Sequence, residues 1–223
     1  MSLRHTPVLD RDNPDKDPLV GHAKVTRDDW LNIARDVLVT DGVAEVKVLT
    51  LSGRLKVSRS SFYWYFENHA ALLDALLVEW SARNTATITD HCAMPAANIT
   101  QALCNFFRCF VDLRRFDAGL DFAVREWSRR DARVLARVDD ADRDRIAAVT
   151  AMFERFGYDG PDADARARIV YFMQLGYHAL EVREPVDARM ARLTPYIRGF
   201  SGQEPDPQAV ATFVAFVKTL GLE

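Results

Sequence analysis

Apolar residues recur at helical spacing through most of the chain, beginning just after Thr26. In the first such segment they lie three or four positions apart: Trp30, Ile33, Ala34, Val37 and Leu38. This spacing places them on one face of an α-helix. Thr26 followed by Asp29 is typical of a capping box with Asp in the place of Glu, and Asp41-Gly42 is a typical helix end. The pattern therefore predicts a first helix between these two signals.

Two short helical segments follow, separated by a tight turn. Residues 48–55 predict a helix that buries Val48, Leu51 and Leu55, and Lys56-Val57 turns the chain. Ser58 is a suitable N-cap for a third helix over residues 59–66. Two short helices joined by a tight turn form a helix-turn-helix.

The third segment lies within the stretch VSRSSFYWYFENH, residues 57–69, which is rich in aromatic rings and hydroxyl groups. At about 100° per residue, Phe62 and Phe66 fall on one face of a helix, whereas Arg59, Ser60 and Tyr63 turn toward another. We expect the two phenylalanines to pack against Leu51 and Trp30. The opposite face is then presented to a partner.

Helical patterns continue to the end of the chain, and no segment shows the alternation of a β-strand. The predicted helices cover residues 70–91, 99–113, 116–129, 133–156, 163–181 and 208–220, with breaks at Met94-Pro95, 157–161 and Pro185 and a loop over 199–207. The fold class is all-α. We divide the chain into a disordered tail (1–23), a three-helix helix-turn-helix domain (24–70) and a larger helical domain (71–223).

Composition limits the classes of protein. The chain has 223 residues, of which 48% are hydrophobic and 27% charged, so it can bury a substantial core. No run of about 18 apolar residues predicts a membrane span, and the first residues lack the apolar core of a signal peptide, so we expect a cytoplasmic protein. The three cysteines form no CxxC pair and indicate neither a disulfide framework nor a zinc site.

The charge is distributed unevenly along the chain. The net charge is −3, but residues 47–68 carry four basic residues, Lys47, Arg54, Lys56 and Arg59, against the single acidic Glu67. On charge alone a solvated helix face explains such a cluster. In a helix-turn-helix, however, the second helix enters the major groove of DNA with its N-terminal residues at base edges. The basic segment coincides with that element.

The stretch LTLSGRLKVSRSSFYWYFENHAALLDALL, preceded by the capped first helix, resembles the DNA-binding domain of TetR family transcriptional regulators over residues 24–80. The chain departs from the family pattern at Lys47 (usually Thr or Ser), Lys56 (usually Gly) and His69 (usually Lys). The resemblance implies binding to double-stranded operator DNA, without a cofactor. The candidate contacts are Thr26, Lys47, Lys56, Arg59, Ser60, Ser61, Tyr63, Trp64, Tyr65 and His69.

The resemblance also implies a homodimer whose larger domain binds a small-molecule effector. Two late helices carry broad apolar stripes, and the candidate interface residues are Phe172, Gly176, Leu180, Phe213, Val217 and Leu220. For any single stripe taken alone, packing within the chain's own core is the simpler interpretation. Because helix-turn-helix proteins commonly dimerise to span two half-sites, we favour the interface.

The large residues of the middle helices offer candidates for the effector pocket: Phe107, Phe110, Trp127, Phe153, Tyr171 and His178. Most aromatic residues at helical spacing are core residues, so each of these has packing as its alternative role. His178 with Glu181 and Glu184 could indicate a metal site or an acid–base pair, but no second ligand cluster supports it. The i, i+4 pair Asp121 and Arg125 indicates a structural ion pair.

Three classes of function follow from these patterns. The first is a ligand-responsive, sequence-specific DNA-binding regulator, typically a repressor. The second is a small-molecule-binding helical protein whose helix-turn-helix serves as a protein-contact module. The third, an enzyme, requires a convergent catalytic set, and the sequence contains no triad order, phosphate loop, HExxH or dinucleotide fingerprint. We favour the first class.

Overall fold

The computed structural model describes residues 25–112 and 114–221, and within that part the elements are helices and turns, with no strand. The all-α fold class is confirmed. The predicted tail, residues 1–23, lies outside the described residues. The chain divides into two compact units, one ending at Glu79 and one beginning at Trp80, whereas the sequence predicted a boundary after residue 70.

The first unit begins with α1 (Arg27–Asp41), a 3₁₀ turn (Val43–Glu45) and α2 (Val48–Leu55). The Thr26 hydroxyl accepts a hydrogen bond from the Asp29 amide at 3.2 Å, and the Thr26 amide donates to the Asp29 carboxylate at 2.8 Å. The predicted capping box is therefore present. Gly42 ends α1 at a φ of 82°, a left-handed conformation that glycine adopts without a Cβ clash.

A second 3₁₀ segment (Arg59–Trp64) and α3 (His69–Trp80) complete this unit. Its core is built around two fully buried rings, Trp30 and Phe62, whose centroids lie 5.3 Å apart edge to face. Phe66 stacks on Phe62 at 5.4 Å, and Leu51 is fully buried. The expected contact of Phe62 with Trp30 is confirmed. Each such side chain contributes about 1.5–3 kcal/mol through burial.

The helix after the 3₁₀ segment Arg59–Trp64 is not a single α-helix. The sequence predicted one over residues 70–91, but α3 passes into a π-helical segment (Ser81–Thr85) before α4 (Ala86–Ala93). The buried Asn84 exchanges two hydrogen bonds with the backbone of Asp117, at 2.9 and 3.0 Å. The Thr85 hydroxyl accepts from Arg145 Nε at 3.0 Å. The wider turn thus coincides with buried polar side chains that bond to other elements, which periodicity alone cannot reveal.

The second unit continues with α5 (Ile99–Val111), α6 (Ala118–Ser128), α7 (Ala132–Glu154), α8 (Gly160–Ala179), α9 (Val186–Ala191), α10 (Leu193–Ser201) and α11 (Pro207–Thr219). The sequence located five of these to within a few residues. It missed α9 and α10, because Pro185 and Gly199 were interpreted as breaks. Pro185 is the N-cap of α9, and Leu193, Ile197 and Phe200 form the buried stripe of α10. Their spacing of four and three is the signal that identifies this helix.

The core of the second unit includes part of the predicted dimer interface. Phe213 and Val217 of α11 are fully buried and belong to the same hydrophobic cluster as Phe106 of α5. A residue that is buried within its own chain offers no surface to a second copy. The interpretation of Phe213 and Val217 as interface residues is therefore wrong, and their stripe is core packing. Leu220 follows α11 and is half-buried.

A cluster of charged side chains is buried where α6, α7 and α8 meet. Arg145 Nη1 donates to Asp121 Oδ1 at 2.9 Å, and both side chains are almost inaccessible to solvent. The Trp80 indole donates to the same oxygen at 2.8 Å. Arg125 bonds Asp121 Oδ2 at 2.9 Å, which confirms the expected pair and extends it to Asp142. Burial by itself would raise the pKa of Asp121, but Arg145 and Arg125 hold it below its ordinary value.

Neutralising Asp121 should therefore destabilise the second unit. We expect Asp121→Asn to lower the free energy of unfolding by about 3–5 kcal/mol, because Arg145 remains buried without its counter-charge. The matched control is Asp140→Asn, which removes a carboxylate from the exposed Arg143 pair and should cost no more than about 1 kcal/mol. Urea denaturation followed by circular dichroism measures both. Equal losses in the two variants would contradict a structural role for the buried pair.

Candidate DNA-binding surface and effector pocket

The predicted third helix is a short 3₁₀ segment, Arg59–Trp64, rather than an α-helix over residues 59–66. The sequence predicted that Ser58 caps this segment. Ser58 is the N-cap residue, but its side chain makes no capping hydrogen bond. Its hydroxyl lies 2.9 Å from that of Ser60, and the Ser61 hydroxyl donates to the Ser58 carbonyl at 2.8 Å. Serine hydroxyls that bond to nearby backbone groups offer the chain an alternative to a regular α-helix. The three serines thus hold the tight first turn of the segment.

The outward side of this segment forms what we name the reading surface: Arg59, Ser60, Ser61, Tyr63 and Trp64. Tyr63 and Trp64 are 62% and 72% exposed, although both are large aromatic residues. Tyr63 stands edge-on against the buried Phe62, with centroids 5.2 Å apart. Arg59 is exposed and forms no ion pair with the residues that the structure describes. A rigid ring, hydroxyls and an unneutralised cation therefore project together.

Three other predicted DNA contacts have structural partners. The Tyr65 hydroxyl donates to the Val25 carbonyl at 2.6 Å and is not on the reading surface. His69 Nε2 lies within hydrogen-bond distance of the Val46 carbonyl, so its ring ties the start of α3 to the residue before Lys47. The Thr26 hydroxyl is engaged in the capping box with Asp29. Tyr65, His69 and Thr26 therefore each have a partner within the protein, and their contact with DNA stays a prediction.

The two lysines occupy the ends of α2. Lys47 is its N-cap residue, and its exposed ammonium pairs with Glu45 at 3.0 Å. Lys56 is the C-cap residue in the left-handed region, with φ 55° and ψ 43°. Glycine adopts this conformation without strain, which is the physical reason that a glycine suits the turn. Both lysine side chains are exposed, and both precede the 3₁₀ segment Arg59–Trp64 in the sequence.

The two tyrosines of the segment should differ in their effect on folding. We expect Tyr65→Phe to lower the stability of the first unit by about 0.5–1.5 kcal/mol, because it removes the half-buried hydrogen bond to Val25. Tyr63→Phe is the matched control, since its exposed hydroxyl has no described partner, and it should leave stability unchanged. Thermal unfolding measures both variants. A loss in Tyr63→Phe as large as that in Tyr65→Phe would contradict this assignment.

The second unit contains a pocket between α5, α8, α9, α10 and α11. It is lined by Phe107, Phe110, Val111, Met173, Gln174, Tyr177, Arg189, Met190, Leu193, Tyr196 and Phe213. The unfilled space is about 450 Å³, part of it open to solvent at the mouth. A mostly apolar wall with a few polar groups is typical of small-molecule sites. We name it the α5–α11 pocket.

Of the six candidate effector residues, Phe107 and Phe110 line the pocket. The other four do not. Trp127 and Phe153 are buried packing residues, and the Tyr171 hydroxyl donates to Asp142 at 2.6 Å within the charged cluster. The alternative role that the sequence left open, packing, is the correct one for these three.

His178 lies behind the pocket wall rather than on it. Its ring stacks against Phe116 at 5.8 Å, and its Nε2 is 2.9 Å from Gln174 Nε2. Burial lowers the pKa of His178, and the charge of Arg189 lowers it further, so the ring is neutral near pH 7. Across residues 25–112 and 114–221, no group of three or more His, Cys, Asp or Glu side chains could hold a metal ion.

The polar residues of the pocket were missed by the sequence analysis. The hydroxyls of Tyr177 and Tyr196 lie 2.9 Å apart, and the Arg189 guanidinium lies 4.6 Å from the centroid of the Tyr177 ring. Arg189 is on α9 and Tyr196 is on α10, the two helices that were not predicted. Recognition of those helices is the signal that would have brought these side chains together.

One apolar face of α8 has no partner within the described chain. Ile169, Phe172 and Leu180 lie on it at helical spacing, and Phe172 and Leu180 are 50% and 78% exposed. Gly176 lies between them, and a Cβ there would meet no atom within 4 Å. We name these four residues the α8 face. It is the part of the predicted interface that the structure leaves accessible.

Two short helical elements joined by a turn, an exposed reading surface and a second helical unit define a DNA-binding transcriptional regulator of the helix-turn-helix class. Residues 31–76 match the model of the bacterial regulatory proteins of the tetR family. Residues 31–76 are therefore similar to the DNA-binding domain of that family, as the sequence resemblance indicated.

Solved structures with the same fold include regulators from different bacteria. AmtR of Mycobacterium smegmatis is 16% identical, with a TM-score of 0.56 and coverage of 92% of this chain and 98% of that one. The fatty acid degradation regulator FadR of Bacillus halodurans is 15% identical, with a TM-score of 0.58 and coverage of 80% of this chain and 97% of that one. A protein described as a TetR/AcrR family member is 17% identical, with a TM-score of 0.55 and coverage of 86% of this chain and 97% of that one. No curated protein matches the chain. In its described part, no helix is long and apolar enough to cross a membrane.

Proposed function

We propose that the chain is a ligand-responsive, sequence-specific regulator that binds a palindromic operator as a homodimer and is released by a small-molecule effector, and so acts as a repressor. The observation that carries the proposal is the reading surface, in which an unpaired arginine and two exposed aromatic residues lie within the tetR-family domain. Such a regulator would act in the cytoplasm, and it requires no catalytic residue and no cofactor.

The reading surface supplies both kinds of contact that DNA recognition needs. Arg59 stands at the N-terminal end of the segment, where a guanidinium can pair with the O6 and N7 atoms of a guanine. Ser60, Ser61 and Tyr63 offer hydroxyl donors for phosphate oxygens, which position a protein without reading sequence. Lys47 and Lys56 add charge at the two ends of α2. We therefore assign readout to Arg59 and positioning to the others.

Selection of binding sites from a random duplex pool at stated salt tests the proposal. The expected result is an inverted repeat whose half-site centres lie about one helical turn apart or somewhat more. Recovery of no enriched sequence would contradict sequence-specific binding.

Loss of Arg59 should relax the preference at one position of each half-site. We expect Arg59→Ala to cost about 1–3 kcal/mol on the selected site, because one bidentate base contact is lost. Tyr63→Phe should weaken all sequences alike. The matched control is Arg54→Ala, since Arg54 on α2 is already neutralised by Asp36 and Asp41. Equal binding by wild type and Arg59→Ala across a site library would remove Arg59 from the readout role.

The α8 face supports the homodimer. Exposed apolar side chains on both sides of a glycine permit close approach of a second helix, and paired helices of two copies can form a four-helix bundle. Phe172→Glu should convert the dimer to a monomer in sedimentation velocity, because it places two charges in an apolar contact. Leu135→Glu, at an exposed apolar position on α7, is the control and should remain dimeric. A dimer in Phe172→Glu would exclude the α8 face as the interface.

The effector must alter the DNA-binding unit through the chain that joins the two units. That chain is helical, from α3 through the π-helical segment to α4. We propose that this segment transmits the response, in place of the uninterrupted α-helix that the sequence predicted. A preference of about 1–3 kcal/mol for the non-binding state changes operator affinity by about 5- to 150-fold.

A second candidate function is a helical small-molecule-binding protein that uses the helix-turn-helix for protein contact. The observation in its favour is the exposure of large apolar residues in the first unit, among them Leu49, Tyr63 and Trp64. Aromatic anchors of this kind are enriched in protein interfaces. DNA binding that depends strongly on salt favours the first function, and its absence favours the second.

A further inference from the structure

The wall of the α5–α11 pocket carries a single cationic side chain among apolar ones. Phe107, Phe110, Met173 and Leu193 provide large apolar surfaces, and Arg189 of α9 is the basic residue that lines the same space. The Arg189 guanidinium faces the Tyr177 ring at 4.6 Å. The pocket therefore combines an apolar body with one positively charged position.

Arg189 differs from its neighbours in the same segment. Arg183 pairs with Glu181 at 3.0 Å, and Arg192 pairs with Glu184. Arg189 forms neither an ion pair nor a side-chain hydrogen bond with any residue in the described part of the chain. A carboxylate thus accompanies each flanking arginine, whereas the arginine in the pocket has none.

Arg189 is half-buried, and partial removal of a cation from water is energetically costly when no anion pairs with it. Burial lowers the pKa of Arg189, but an arginine side chain stays protonated in proteins at neutral pH. The titratable groups whose charges act on the Arg189 guanidinium, Tyr177 and Tyr196, are phenols rather than carboxylates. The neutral His178 lies behind the pocket wall. The hydrogen bond with Tyr196 and, to a smaller extent, burial raise the pKa of Tyr177, so this phenol keeps its proton. The positive charge in the pocket is therefore uncompensated by the protein.

We propose that the effector of this chain is an organic anion, a carboxylate carried on an apolar body, whose carboxylate pairs with Arg189. The hydroxyl pair of Tyr177 and Tyr196 lies in the same wall and can donate a hydrogen bond to it. The apolar body lies against Phe107 and Phe110. This inference rests on the proposed ligand-responsive function and specifies the chemistry of its ligand.

Other ligand classes fit the pocket less well. A cationic ligand would face the Arg189 charge directly. A neutral apolar ligand would desolvate the guanidinium without pairing it, and an unpaired buried charge opposes binding. A ligand with several negative charges would find one arginine as the single cationic residue among those that line the pocket. A single carboxylate matches both the charge and the small number of donors.

Calorimetric titration with a pair of isosteric probes tests the proposal. We use 4-phenylbutyrate with its uncharged analogue 4-phenylbutyramide, and decanoate with decanamide as a second pair of different shape. Wild type should bind at least one of the two carboxylates, and the matching amide should bind at least about tenfold more weakly, which corresponds to about 1.4 kcal/mol. Equal affinity for carboxylate and amide, or no binding of either carboxylate at millimolar concentration, would overturn the proposal.

Two variants locate the interaction. Arg189→Gln should abolish the preference for carboxylate over amide, whereas Arg183→Gln, which alters a neighbouring arginine that has its own partner, should keep it. Arg189→Gln removes no ion pair within the described chain, so the variant should keep the helical circular dichroism of the wild type. A carboxylate preference that survives in Arg189→Gln would overturn the assignment.

The same probes separate the ligand chemistry from the regulatory function when the selected operator duplex is added. The expected result is a carboxylate affinity that falls in the presence of operator by the factor by which the carboxylate weakens operator binding. Carboxylate binding with no change in operator affinity would leave the pocket chemistry standing and contradict the ligand-responsive function. Release of operator by the amide as effectively as by the carboxylate would leave the function standing and overturn the anion proposal.

Discussion

The second unit depends on the requirement that a buried charge must be paired. Arg145 and Asp121 are inaccessible to solvent, and each would be strongly destabilising alone. Their contact fixes α6 against α7, the Trp80 indole joins the same carboxylate, and Thr85 bonds Arg145 Nε. The pair thereby determines where the π-helical segment lies within this unit. It is the constraint around which α6, α7 and that segment are arranged.

The same requirement distinguishes structural from functional charges elsewhere in the chain. Arg145, Arg183 and Arg192 each have a carboxylate within the protein, and their role is explained by that contact. Arg59 and Arg189 have none among the described residues. One projects from a reading surface and the other lines a pocket. An arginine without an internal carboxylate is free to pair with an external anion, which at Arg59 favours a DNA contact and at Arg189 an anionic ligand.

Local signals made the first two helices predictable from the sequence. The Thr26 capping box, Gly42 and the apolar spacing of α2 lie within a few residues of the structures they determine. The nature of the third segment could not be predicted, because over six residues the period of a 3₁₀ turn is hardly separable from that of an α-helix. The partners of Tyr65 and His69 lie 40 and 23 residues away, which is beyond any local pattern.

The stripes of α8 and α11 look alike in sequence, and only tertiary packing shows that Phe213 is core whereas Phe172 is exposed. The pocket was only partly predicted because Arg189 lies on α9 and Tyr196 on α10. Both helices follow Pro185, which was interpreted as a break in helical structure.

The central claim is that the first unit recognises a specific DNA sequence through an electrostatic surface. It is tested most directly by the affinity of the wild-type chain for its selected duplex and for a scrambled duplex of the same composition, measured between 50 and 300 mM salt. We expect binding to the selected duplex to be at least about 10³-fold tighter than to the scrambled one, and both affinities to fall as salt rises, because counterions are released from the phosphates. Equal affinities for the two duplexes, or binding that does not change with salt, would contradict the claim.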